Sequence, residues 1–404
     1  MPNKNKINRR SFLSTSAAIG VFTVAGCAEG AEDEDDESDE ADEEQDRTDF
    51  EIEEVADDLS NPWAIAFLPN ESEILITERE GNLSLLDRDD GTLELIDETP
   101  EVYAEGQGGL LDVALHPNFP DECWVYLTYS VTNDDGESAT ELGRGRLDTE
   151  EQTLQDFEEL YVAEPYIEGD GHFGSRIIFD DDQTLYMTTG DRQLKDFGED
   201  HVSQDTSNGV GATLRFMPDG TIPDDNPFVD EPDVHDAIFS YGHRNSQGMT
   251  IHPESGEIWQ SEHGEEAGDE INIIEAGGNY GWPIAHYGCE YDTDIPVGDL
   301  PDERDDTVNP VYYWECGSGG FPPGGMTFYD GEAFPDWQGD LFVGNLPGEY
   351  IGRFTVDDRD VAETTPLLED QEWRIRDVEV APDTGHLYIV IDEESAPLVR
   401  LVPA

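Results

Sequence analysis

Lysine is almost missing from this chain. Of 404 residues, 20 are Lys or Arg against 97 Asp or Glu, a formal charge of −77, and beyond residue 27 the single lysine is Lys195. Without basic clusters the chain cannot neutralise phosphate backbones, which excludes nucleic acid as a partner. Nor will charge hold it to an anionic membrane surface. No apolar run reaches the roughly 20 residues of a membrane helix. Beyond residue 27 no stretch carries a sustained 3.6-residue apolar period, which excludes a helical fold. CxxC and Cys/His zinc spacings are absent too. The sequence does contain 36 % apolar and 10 % aromatic residues, enough for a core and too many for a disordered acidic tail.

The acidic excess is spread over the whole chain. Such self-repulsion opposes a compact state unless salt screens it, and at about 1 M the Debye length falls to roughly 3 Å. The composition therefore predicts an extreme halophile whose unfolding temperature climbs between low and molar salt. A melt indifferent to salt would contradict this.

Residues 1–27 differ from all that follows: they hold Lys4, Lys6, Arg9 and Arg10 and no acid. Arg9-Arg10-Ser11-Phe12-Leu13 is a twin-arginine pattern before a short apolar run. Val24-Ala25-Gly26-Cys27 has the form of a lipobox. The segment reads as a twin-arginine signal peptide, with Cys27 lipidated after cleavage. Loss of its four cations takes the charge from −77 to −81. Residues 28–48, nearly all Glu, Asp, Ala and Ser, read as a self-repelling tether. The expected protein is extracellular and attached to the membrane only through the lipid on Cys27, with residues 49–404 as its globular part.

One pattern recurs six times in that part: an apolar strand, a turn of Pro, Asp, Asn or Gly, then a second apolar strand. The copies start at Trp63, Asp112, Ile177, Met249, Met326 and Val378. Short strands rich in β-branched and aromatic residues, bounded by turn formers and repeated with uneven insertions, predict an all-β, six-bladed β-propeller in a single domain. A pair of β-sandwiches is the alternative. Ring closure is expected between residues 48–57 and Leu398-Val399-Arg400-Leu401.

The unusual polar residues lie in Gly-rich loops beside these strands. Loops entering the inner strands of a propeller converge on the axial mouth, so Gln107, His172, Arg244, Asn245, Arg374 and Arg376 are expected to share one cleft. Arg374 and Arg376 alternate along a strand edge, pointing the same way with Ile375 opposite. Two guanidiniums in so acidic a chain suit a carboxylate clamp. His172, with an ordinary pKa near 6.5, suits general-base work, and Asp191 could hold its other ring nitrogen. Backbone carbonyls in glycine-flanked loops are good ligands for Ca²⁺. Cys289 and Cys316, both in Gly-containing loops, are the expected disulfide; Cys123 reads as a strand residue.

Taken together, GQGGLLDVALHP, GHRNSQG, SEHG…GDEINII, GGNYGWP and RIRDV resemble the soluble glucose/aldose sugar dehydrogenases, from about Leu59 to Val402. That family uses pyrroloquinoline quinone (PQQ) and calcium on a six-bladed propeller. The resemblance implies oxidation of an aldose at its anomeric carbon to a lactone, by hydride transfer to the quinone. His172 matches the base, Asp191 its supporting acid, and Arg244 the arginine that polarises the quinone. Gln107 matches a contact to the sugar and cofactor region, Asn245 a cofactor contact, and Arg374 and Arg376 the pair receiving the PQQ carboxylates. Gly264 and Glu265 match the carbonyl ligands of the catalytic calcium, where glucose enzymes have Gly-Pro. The resemblance leaves the electron acceptor unidentified. Two departures stand out. Asn345-Leu346-Pro347-Gly348-Glu349 lacks the lysine relatives carry there, for which Arg353 or Lys195 is the candidate substitute, and Gly317–Gly325 differs from the aromatic loop of the glucose enzymes.

Blander readings exist for each residue. His172 could be structural, Asp191 a turn cap, Arg244 a blade ion pair, and Arg374 with Arg376 an exposed salt-bridge strand. Asp269 and Glu270 fit a second calcium site or a closed turn equally. His116, His243, His252 and His263 read as structural or surface residues, and Trp63, Trp259 and Trp282 as blade core. The competing functions are a non-catalytic sugar-binding propeller and a calcium-dependent propeller lactonase or other hydrolase. The second of these leaves the arginine pair unexplained.

Overall fold

The computed structural model describes residues 49–69 and 72–404. The signal-peptide, lipobox and tether expectations lie outside the described residues. Six four-stranded antiparallel sheets account for all 24 strands among them. Each expected copy falls on the first two strands of one blade. The inner strands are Pro62–Phe67, Leu110–Leu115, Ile177–Phe179, Ser246–Ile251, Pro323–Phe328 and Ile375–Val380. Each packs on the next around a closed ring, which excludes the sandwich pair. The last sheet takes its outermost strand, Phe50–Leu59, from the start of the domain; it pairs with Ala396–Pro403 through Ile52↔Leu401 and Glu53↔Arg400. That is the closure expected from the sequence, and it ties the two ends of the domain together in one blade.

Period-two alternation gives each strand two apolar faces that meet those of the neighbouring blades. Leu75, Leu83 and Leu85 of blade 1 join Leu110, Val125 and Leu127 of blade 2 in one buried cluster. Hydroxyls stitch blade to blade at equivalent points of the second strands. Thr77 Oγ1 donates to the Leu111 carbonyl at 2.5 Å, Thr128 to Ser175 at 2.6 Å, Thr188 to Ser246 at 3.2 Å and Ser261 to Gly324 at 3.2 Å.

Five inner strands carry a register shift at the same place: Pro62/Ala64, Leu110/Val113, Ser246/Gly248, Pro323/Met326 and Ile375/Asp377. An extra residue at a bulge re-aims its side chain, and here it turns Trp63, Leu111, Gln247 and Arg376 onto an axial cavity. A second, wider cavity opens at the other end of the same strands, against Ile65, Val113, Ile177, Met249 and Glu379. Between the two lies Arg176, whose Nη1 is 3.3 Å from Asp112 and 3.2 Å from Asp377, all three buried. Small residues make room for this layer: a Cβ on Gly325 would lie 1.7 Å from Asp377 Oδ1.

Cys289 and Cys316 form a disulfide that clamps the long insertion of blade 4. Cys123 is unpaired and half-buried; it sits one residue before the strand Trp124–Thr132 rather than in it.

Candidate active site

In an antiparallel meander the start of strand one and the end of strand two lie at the same end of a sheet. The axial cavity therefore receives two sets of loops, those entering the inner strands and those leaving the second strands. From the first set Gln107, Asn245, Arg374 and Arg376 line the wall, as expected.

His172 stands beside them, its backbone in the left-handed region at φ 51°. Its N–H donates to Gln107 Oε1 at 2.8 Å, and its Nδ1 lies 2.6 Å from Asp191 Oδ1. The remaining valences of that carboxylate are filled: Gln193 N donates to Oδ1 at 2.9 Å and Trp282 Nε1 to Oδ2 at 2.8 Å. The loop of Asp191 presses so closely on that of His172 that a Cβ on Gly190 would lie 2.2 Å from the His172 carbonyl oxygen. Burial would raise the Asp191 carboxyl, but the His172 imidazole, then Arg244, hold it below the ordinary range. Burial first, then Arg244, push His172 down against the pull of Asp191. The result is a neutral imidazole with Nδ1–H fixed on a carboxylate and Nε2 left with its lone pair, a general base.

Arg244 lies next to Asn245 and its carbonyl accepts the Asp191 N–H at 2.7 Å. Its Nη2 pairs with Glu265 Oε2 at 2.6 Å, its guanidinium faces the Trp282 ring at 5.1 Å, and its Nε has no partner among the described residues. Lys195 reaches the other oxygen of Glu265. On the far wall Arg374 Nε and Arg376 Nη2 share Asp392 Oδ2 at 3.0 and 2.6 Å, so both arginines do point the same way. Burial would raise Asp392, yet Arg376 and then Arg374 hold it far below the usual carboxylate range. Arg376 Nε is another buried donor without a partner among the described residues.

Other residues named from the sequence also have definite places around the cavity. His263, read as structural or surface, is structural: it is half-buried in the cavity wall with Nε2 donating to the Pro323 carbonyl at 2.6 Å, and desolvation keeps it neutral. Trp63 is core, as read, and also floors the cavity, with Arg176 and Arg376 over its ring at 4.4 and 5.8 Å. Asp269 closes a turn, accepting Gly264 N–H at 2.9 Å and Phe321 N–H at 2.7 Å. Leu346 stands at the wall where the loop lysine is missing. Arg353 does not replace it, since its Nε is engaged by Asp340 at 2.6 Å inside blade 5. Sequence reasoning missed Arg79, Gln247 and Asp392, all on the wall; the scarcity of cations was the available signal for Arg79.

Which residues could hold a cofactor or metal follows from unused valences. The orphaned Nε atoms of Arg244 and Arg376, with Arg374, the Gln107 loop and Asn245, are donors suited to a planar polyanion. The carbonyls of Gly264 and Glu265 accept no hydrogen bond among the described residues, which leaves them free for a hard cation.

Comparison with known proteins points to one family. The family model for glucose/sorbosone dehydrogenase matches residues 59–400. Aldose sugar dehydrogenase YliI of Escherichia coli is 38 % identical over 356 residues, spanning 87 % of this chain and 92 % of that protein. The apo crystal structure of the soluble E. coli aldose sugar dehydrogenase superposes with a TM-score of 0.82 at 38 % identity, covering 88 % of this chain and 100 % of that one. The PQQ-bound aldose sugar dehydrogenase of Streptomyces coelicolor superposes with a TM-score of 0.71 at 26 % identity, covering 88 % and 99 %.

Proposed function

The chain belongs to the glucose/sorbosone dehydrogenase family of sugar oxidoreductases, and from that premise we propose that it oxidises aldoses at the anomeric carbon to lactones, with PQQ and Ca²⁺. The observation that carries this reading is a neutral, carboxylate-held imidazole beside a cavity walled by paired guanidiniums. When bound, PQQ supplies an ortho-quinone able to accept the hydride that leaves the sugar carbon.

The chain's own residues do the rest. His172 Nε2 takes the proton of the anomeric hydroxyl, while Asp191 fixes the tautomer and stabilises the imidazolium that forms. Arg374 and Arg376 hold the cofactor carboxylates, and Asn245 adds an amide contact. Arg244 presents its guanidinium to developing negative charge, in a buried setting where such a charge counts for most. Gln107 contacts the sugar and, through the His172 N–H, keeps the base in place. Gly264 and Glu265 offer their carbonyls to calcium. The reading includes export by the twin-arginine route and lipid attachment at Cys27, with a carrier outside the cell taking the electrons.

Titrating the calcium-loaded protein with PQQ in molar salt tests the proposal. Saturable binding, followed by dye reduction on adding an aldose, is the expected result. Absence of binding would overturn it and favour a non-catalytic sugar-binding propeller, the reading that Leu346 in place of a cation supports.

A further inference from the structure

One cation of the cavity wall has been given no role. Arg79 follows the second strand of blade 1, Glu73–Glu78, and is half-buried. The wall carries three guanidiniums, Arg79, Arg374 and Arg376, against one carboxylate, Asp392. Asp392 is taken by the other two, and Arg79 forms no ion pair among the described residues. Acids stand on both sides of it in the chain, yet Glu78 spends its carboxylate on the Ser60 N–H at 2.6 Å and Glu80 is exposed. In a chain with 97 acids, a partly desolvated guanidinium that pairs with no acid among the described residues is an anion site awaiting its anion.

Arg79 also reaches the catalytic loop. Its Nε donates to the Gly108 carbonyl at 3.3 Å and its Nη2 to the Gly106 carbonyl, bracketing Gln107 from both sides. Gln107 in turn accepts the N–H of His172, which needs that support to keep a positive φ. Nη1 of Arg79 donates no hydrogen bond among the described residues. Its field extends across the cavity: Arg376, lowered first by burial, is lowered further by Arg374 and by Arg79.

We infer that Arg79 is a third anion-binding cation of the site, receiving a carboxylate of the cofactor that Arg374 and Arg376 leave unmatched while it fastens the Gln107 loop. The inference rests on the PQQ reading above, and it fits because PQQ is a tricarboxylate. A charge-assisted contact of this kind is worth about a 10- to 100-fold change in affinity.

The test is equilibrium PQQ binding to the calcium-loaded full chain in molar salt, read by tryptophan quenching, for wild type, Arg79→Gln and Arg79→Lys, with a melt of each. Arg79→Gln should bind PQQ about 10- to 100-fold more weakly, while Arg79→Lys, which keeps the charge but cannot bracket two carbonyls, should stay within a few-fold of wild type. Equal weakening in both variants would reduce Arg79 to a loop scaffold and overturn the inference. Unchanged affinity in Arg79→Gln would also overturn it. Failure of the wild type itself to bind removes the cofactor reading instead, and the inference with it, so the two failures are told apart.

Discussion

A His172→Ala variant will lose sugar oxidation by about 10²- to 10⁴-fold, the usual contribution of a positioned general base, and will still take up PQQ. The imidazole is fixed at its backbone by Gln107 and at Nδ1 by Asp191, so its removal deletes one proton acceptor and leaves the arginine wall intact. Asp191→Asn should fall nearly as far, because an amide no longer dictates which ring nitrogen carries the proton. The pH profile supplies an independent check. Since burial and Arg244 hold His172 below the ordinary imidazole value of 6.5, the base stays deprotonated at pH values where a free histidine would be charged. The acid limb of kcat/KM in the wild type must then lie below pH 6.5. Stopped-flow reduction across pH 4–7 measures it, and a limb above 6.5 or an active alanine variant would remove His172 from the mechanism.

Arg176→Met will destabilise the fold by about 3–5 kcal/mol, the range seen when one member of a buried ion group is removed. Asp112 and Asp377 would face each other across the axis with no cation between them, above the half-buried Glu379. Denaturant unfolding in molar salt measures the loss, and adding Asp377→Asn should recover part of it by deleting a stranded charge. The pH dependence has a definite sign. Desolvation, partly offset by Arg176, raises the Asp112 carboxyl from 3.8 to about 6, so the folded state holds a proton that the unfolded state releases. This group's contribution to stability therefore falls as pH rises from about 3.8 to about 6. Without Arg176 the carboxyl rises further and the window moves to higher pH. A variant as stable as wild type would show that the layer is solvated rather than buried.

Much of the architecture was legible because its signals are local. Alternation and turn chemistry marked the first two strands of every blade, and all six copies fell where the pattern put them. Outermost strands such as the wholly exposed Leu93–Leu95 and the largely exposed Phe50–Leu59 carry weaker patterns because they face water, whereas third strands such as Glu270–Ile273 are buried throughout and show no alternation to read. Of the site, the loops entering inner strands were read as converging, and Gln107, Asn245, Arg374 and Arg376 share one wall. Arg79 and Asp392 escaped because they arrive from the ends of second strands, where nothing in a single sequence separates a site residue from a turn residue. The bulges escaped for a different reason. A register shift belongs to a pair of strands, so that Trp63 and Gln247 face the cavity is decided by partners distant in sequence. Glu265, expected to act through its backbone carbonyl, also pairs its side chain with Arg244, a contact that only the folded ring creates.

The Arg176 layer has a kinetic corollary. Lying against Trp63, it stands between the axial cavity and the wider one at the other end of the inner strands. On the proposed reading, sugar and oxidant both approach from the loop end, and the oxidant is expected to enter only after the oxidised sugar has left. Initial rates at several fixed oxidant concentrations should then trace parallel lines in a double-reciprocal plot, the mark of an enzyme that shuttles between two redox states and never holds both reactants together.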